Sequence, residues 1–194
     1  LGWSCGVLLR TLFKSGVPHF ENGDSDHRIP VIAKNVVREF SGRAHLDWEE
    51  IQKIRKQWQG NLILKGILHP EDAVRAKNEG ADGIIISNHG GRQLDGAISS
   101  IQALPGIVEA VGKDIEVWMD GGIRSGQDVL KAWALGARGT MIGRPFLYGL
   151  GAMGEAGVTK CLELIHNELD ITMAFTGHRD IQNVTKDILY PGTF

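Results

Sequence analysis

The chain of 194 residues has few cysteines, few tyrosines and little excess charge. Its two cysteines, Cys5 and Cys161, lie far apart in no metal-ligand spacing. That argues against a disulfide framework or a thiolate metal site and fits reduced thiols in a cytosolic setting. His19, His27, His45, His69 and His178 show no ligand spacing either, so no metal is expected. The formal net charge is -2, and no strong field draws in polyanions; a bulk nucleic-acid binder is excluded. No apolar run is long enough to span a bilayer. No secretory signal is visible, and Leu1 stands where an initiating methionine would, so an internal start is expected. What is plentiful is glycine. Most of the 26 fall in a few ordered clusters, a pattern of turns and backbone–ligand contacts rather than of a flexible linker.

Residues 1–45 read as an irregular segment. If residues 3–14 are helical, Trp3, Val7, Leu8, Leu12 and Phe13 share an apolar face, with Arg10 and Lys14 towards the other side. Gly16 and Pro18 stop that pattern, "ENGDSD" reads as exposed turn, and "VIAKNVVREFS" fits a short helix. From residue 46 the rhythm is regular. Asp47 and Glu50 have capping-box spacing before "WEEIQKIRKQW". The apolar runs "NLILKG", "ADGIIISN", "IEVWMDGG" and the start of "ARGTMIG" read as strands, each followed by a helical pattern. The helix after the second strand contains Pro105, where a kink or break is expected. A long helix, "GEAGVTKCLELIHNELDITMAFTG", and a short one, "DIQNVTKDIL", complete the chain. Compact apolar strands alternating with helices predict an α/β fold with a parallel sheet buried on both faces. Four such units are half of a (β/α)8 barrel, which leaves two sheet edges open.

The polar clusters all fall at strand ends: Lys65, Ser87–Arg92, Asp120–Arg124 and Gly143–Arg144. In a TIM barrel that rim carries the active site, and the last two loops are the usual phosphate site. "DGGIRSG" and "IGRP" suit that role, because glycine lets backbone N–H groups approach an anion and arginine supplies forked donors. "NHGGRQLD" places His89 and Arg92 three residues apart. Histidine takes a proton near neutral pH, and arginine clamps a carboxylate, so the pair suits a small acid losing hydrogen at its α-carbon. On spacing alone, a His89 that caps the helix and an Arg92 in a surface salt bridge are the plainer alternative. Lys65, on spacing alone, reads as an ordinary strand-end lysine. His166 reads as surface or interface, Trp48, Trp58 and Trp133 as helix packing, and Trp118 as core.

"LILKG", "GADGIIISNHGGRQLDG", "WMDGGIRSGQDVLKAWALGA" and "MIGRPFLYGL" resemble the FMN-dependent 2-hydroxy acid dehydrogenases and oxidases, from about Leu46 to about Leu189. The resemblance implies a TIM (β/α)8 barrel fold, with residues 46–194 supplying roughly the last four βα units. It implies FMN as cofactor and oxidation of an L-2-hydroxy acid, lactate-like or mandelate-like, to the 2-oxo acid. It implies His89 as the base and Arg92 as the carboxylate ligand, with Lys65 at the flavin N1/O2 edge. Ser87 would contact the flavin and Asp120 the ribityl chain. Gly121, Gly122, Ile123 and Arg124, closed by Gly143 and Arg144, would hold the phosphate. The partners implied are the acid and an electron acceptor (a quinone, another carrier or oxygen), with a homo-oligomer or a separate N-terminal half completing the barrel.

"W…LLRTLFKSGVPHFEN" is similar to the longer segment of the lactate and mandelate dehydrogenase subgroup, which meets lipid in its membrane-bound members. The expectation is a cytoplasmic protein, peripheral on the inner face of the plasma membrane, or a segment that contacts a subunit. The family's preceding half, with two active-site tyrosines, a second arginine and the aspartate orienting the base, has no counterpart here; Tyr148 and Tyr190 sit in neither motif. A noncatalytic half-barrel that binds FMN or phosphate is therefore the rival reading. Type 2 isopentenyl diphosphate isomerase and IMP dehydrogenase relatives share the Gly/Arg loops but not NHGGRQLD.

Overall fold

The computed structural model describes residues 2–17, 19–20, 29–30 and 47–192. The chain divides into two compact units, Leu1–Asp47 and Trp48–Phe194. In the first, α1 (Gly2–Ser15) precedes a short antiparallel ladder of β1 (His19–Phe20) and β2 (Ile29–Pro30). The helix expected over "VIAKNVVREFS" lies outside the described residues.

The second unit opens with α2 (Trp48–Gln57) and then alternates strand and helix. Its strands are β3 (Ile63–Ile67), β4 (Gly83–Ile86), β5 (Glu116–Met119) and β6 (Gly139–Thr140). They pair in that order, all parallel. The intervening helices are α3 (Pro70–Asn78), α4 (Ser100–Val111) and α5 (Gly126–Ala134). After β6, α6 (Arg144–Met153) and α7 (Glu155–Phe175) form a helical hairpin. "DIQNVTKDIL" is not one helix but two short 3-10 turns, Ile181–Asn183 and Lys186–Ile188. Asp180 and Thr185 each cap the backbone two residues on, and those local bonds interrupt a longer helix.

The core lies between the sheet and its helices. Ile84, Ile86, Val117 and Met119 point to one face and are buried with Leu104, Ile107 and Val111 of α4. A single α4 runs through Pro105, because these buried residues anchor it on both sides of the proline. The opposite sheet face corrects the expectation of strands buried on both sides. Ile63 and Trp118 remain 52% and 37% exposed there, since helices cover only one face of the four strands. Trp118 is therefore not core. Its ring lies over Gly139, where an added Cβ would come within 2.7 Å of it.

Two close approaches fix the last helices. A Cβ at Gly149 or Gly157 would collide with the other's carbonyl, so the α6–α7 crossing requires both glycines. Gly126 opens α5 directly against the backbone of α7, and Glu168 accepts its N–H at 3.0 Å. At the other end of the sheet, Arg55 of α2 clamps Asp82, reaching its carboxylate at 3.1 Å and the Gly60 carbonyl at 2.8 Å.

Candidate active site

Parallel strands point their C-terminal ends one way, so the loops after β3, β4, β5 and β6 share a rim. Lys65 lies in the middle of β3 rather than at its end, and a register shift follows it at Gly66, φ +101°. A bulge there re-aims the lysine along the rim. Its ammonium donates to Ser87 Oγ at 2.9 Å and forms an ion pair with Asp120. Ser87 is buried and also accepts the His89 N–H at 3.1 Å. One lysine of β3 thus ties together the residues that follow β4 and β5.

The "NHGG" stretch forms a single 3-10 turn, His89–Gly91. Asn88 caps it, its Oδ1 accepting the Gly90 N–H at 3.0 Å. His89 has φ +55°, the one non-glycine in the left-handed region among the described residues. The two glycines continue at φ +68° and +70°, a run that side chains would oppose. The imidazole is left exposed at the rim. Arg92 closes the turn, its N–H donating to the His89 carbonyl at 3.4 Å.

The loop after β5 runs Asp120–Gly121–Gly122–Ile123–Arg124. A Cβ added at Gly121 (φ +92°) would come within 3.0 Å of Ser100 Oγ and 3.5 Å of Asn88 Oδ1, so this loop passes close to the histidine turn. Nothing stands within 4 Å of a Cβ added at Gly122 or Gly143, and backbone faces open space at both. Two helices start here, and they are capped differently. Asp128 accepts from the N–H groups of Arg124 and Ser125, each at 3.0 Å, and Glu168 takes that of Gly126, so α5 is capped by the protein itself. The N-terminus of α6, at Gly143–Arg144, has no side-chain cap. An uncapped helix start beside arginine has the chemistry to receive an anion.

A cleft of about 220 Å³ connects these parts. It is lined by His89 and Arg92, by Asp120 through Arg124, and by Gly143 and Arg144; Ile123 contributes while otherwise packed in the core. Lys65 and Ser87 reach it through Asp120 and the histidine turn. The guanidinium groups of Arg92, Arg124 and Arg144 make no hydrogen bond or ion pair among the described residues. Three unneutralised cations around one cleft give it a local positive potential that the whole-chain charge conceals. Asp120 Oδ1 is buried and has no hydrogen-bond partner among those residues. Among them no group of histidine, cysteine or carboxylate side chains could hold a metal ion.

Several contributors escaped the sequence reading, among them Asn88, Asp128, Met141 and Leu147. Asn88 had a local signal, an Asn followed by His-Gly-Gly, the pattern of an Asx turn. Asp128 had another, three residues after Ser125, the spacing of a capping box. Met141 and Leu147 line the cleft as ordinary hydrophobics, and no spacing marks them.

Residues 9–191 match the family model described as FMN-dependent dehydrogenase. An L-lactate dehydrogenase of Caulobacter sp. (strain K31) is 49% identical, covering 96% of this chain and 48% of the relative. The L-lactate dehydrogenase of Caulobacter vibrioides (strain NA1000 / CB15N) is 53% identical, covering 74% of this chain and 38% of its own length. Among solved structures, an active mutant of (S)-mandelate dehydrogenase superposes with TM-score 0.71 at 46% identity, over 73% of this chain and 40% of that one. A mandelate oxidase with benzoyl-formic acid gives 0.69 at 48% identity, over 71% and 41%. The chain spans about half the length of the relatives it matches, or less.

Proposed function

The chain belongs to the family of FMN-dependent dehydrogenases, TIM-barrel flavoenzymes, and on that premise we propose that it is the C-terminal half of an L-2-hydroxy acid dehydrogenase barrel, with L-lactate or L-mandelate as substrate. The observation that carries the reading is the continuous cleft from the His89–Arg92 turn to the Gly122–Arg124 and Gly143–Arg144 loops.

The donor set fits FMN. Gly122, Arg124, Gly143, Arg144 and the uncapped start of α6 suit its phosphate. The unpartnered Asp120 Oδ1 is an acceptor for a ribityl hydroxyl. Lys65 and Ser87 supply donors on the other side of Asp120 and suit the ring's polar edge. When bound, FMN supplies a two-electron acceptor.

Arg92 binds the substrate carboxylate through its forked N–H donors. That contact fixes the acid beside His89, whose imidazole takes the proton lost during oxidation. Lys65, held between Ser87 and Asp120, keeps a fixed positive charge at the reacting end of the cleft. A His89→Gln variant tests the assignment: FMN binding is retained and reduction by L-lactate is lost. Reduction at an undiminished rate would overturn the role of His89.

Two features support a larger assembly. The sheet's open face carries exposed Ile63 and Trp118, and β3 and β6 are its edges. An N-terminal set of βα units, from the remaining half of the protein or a separate chain, covers that face and closes the barrel. The first unit supports a lipid contact. Phe13 of α1 is 89% exposed, Val7, Leu9 and Leu12 are exposed apolar residues, and Arg10 and Lys14 add positive charge. No helix among the described residues is long and apolar enough to cross a membrane. We assign α1 an interfacial role at an anionic, cytoplasmic membrane face.

A further inference from the structure

We propose that Asn88 is a positioning residue for the proposed base, holding His89 at the rim by clamping the turn around it. The inference rests on the reading of His89 given above, but the clamp itself is a property of the fold.

Three observations converge on Asn88. Its Oδ1 accepts the Gly90 N–H at 3.0 Å, which closes the turn immediately after His89. Its Nδ2 donates to the Ile98 carbonyl at 3.4 Å, which ties the turn to the segment leading into α4. Its Oδ1 also lies 3.5 Å from a Cβ position at Gly121, so the asparagine separates the histidine turn from the glycine loop of the anion site.

The turn needs such a clamp. A histidine at φ +55° sits in a region that L-residues enter only when their surroundings over-determine it. Two following glycines cannot supply rigidity, because both conformational halves of the backbone map are open to them. The backbone bonds within the turn are one at 3.0 Å from Gly91 to Asn88 and a longer one at 3.4 Å from Arg92 to His89. Ser87 fixes the amide entering the turn and Asn88 the amide leaving the histidine. With the Asn88 acceptor removed, His89 relaxes towards ordinary φ and its ring leaves the cleft. Arg144 adds to the geometry: its guanidinium stands 3.7 Å from the Cβ position of Gly90, so a loosened turn also moves against the anion site.

The test compares Asn88→Ala with Asn88→Asp in the complete enzyme, the full barrel with FMN. Asp keeps an oxygen acceptor for Gly90 and gives up only the longer bond to Ile98; Ala loses both. The first readout is hydrogen exchange at the Gly90 amide, with the β4 amides as a folding control. Exchange is expected to quicken about tenfold in the Ala variant and to stay near the parent rate in the Asp variant. The second is the rate of flavin reduction by L-lactate or L-mandelate at saturating acid. A fall of about 10–100-fold is expected for Ala, with recovery to within about threefold for Asp. Unchanged Gly90 exchange in the Ala variant, or parent-like reduction despite quickened exchange, would overturn the proposal. If the parent enzyme reduces its flavin with neither acid, the reading of His89 has failed, while the exchange comparison still decides whether Asn88 holds the turn.

Discussion

Lys65, within β3, and Asp120, just after β5, stand on two strands that do not touch, and their side chains form an ion pair across the end of β4. Ser87, on that middle strand end, takes the same ammonium at 2.9 Å. The pair ties the lysine proposed to face the flavin to the carboxylate proposed to meet its ribityl chain. A half-open ion pair of this kind contributes little by itself, but breaking it leaves a partly buried charge alone.

That asymmetry gives a thermal prediction. Lys65→Met and Asp120→Asn should each lower the melting temperature of the chain, and the double variant should lose less than the sum of the two. Circular dichroism melts complete the cycle. Strictly additive losses would mean the two side chains do not interact.

The anion site predicts a difference between two ligands. Arg124→Ala and Arg144→Ala should each weaken FMN binding about tenfold, while riboflavin, which has no phosphate, binds as before. Fluorescence titration with both compounds reads the contrast. Equal losses for the two would place these arginines away from the phosphate.

Arg92→Met should raise the KM for the hydroxy acid about 10–100-fold in the complete enzyme and leave FMN affinity unaltered. Steady-state kinetics and flavin titration separate the two effects. Weaker FMN binding with an unchanged KM would contradict the carboxylate assignment.

Asp82 predicts the acid response of the sheet's lower end. A hydrogen bond from the Leu62 N–H holds its carboxyl below the ordinary range, assisted by Arg55 and opposed by desolvation. A depressed value means stability that is present above the unfolded value and lost as pH falls through the folded one. Asp82→Asn should therefore lower the melting temperature at neutral pH, with the gap to the parent narrowing below about pH 4, the ordinary aspartate range. A gap constant from neutral to acid pH would contradict this.

Much of the architecture was legible because β3, β4 and β5 are compact apolar runs and each helix of the second unit is punctuated by glycine or proline. The run Gly83–Ile86 and the helix stop at Gly80 are examples. The polar residues that line the cleft were legible for a related reason: a polar cluster after an apolar strand has only the rim to occupy. Three features were not. The exposure of Trp118 depends on what covers the far sheet face, which local pattern does not encode. The ion pair of Lys65 joins residues 55 apart and follows only from the register of three strands. The choice of α6 over α5 as the open helix start depends on Glu168, which reaches Gly126 from another helix.

The most direct measurement is anaerobic flavin absorbance. The chain, assembled with the N-terminal half of its barrel and loaded with FMN, is mixed with L-lactate and then with L-mandelate. The account predicts bleaching of the bound oxidised flavin by at least one of these acids and none in the His89→Gln variant. Bound flavin that no 2-hydroxy acid bleaches would contradict it, and would make the cleft a cofactor-binding scaffold without the proposed chemistry.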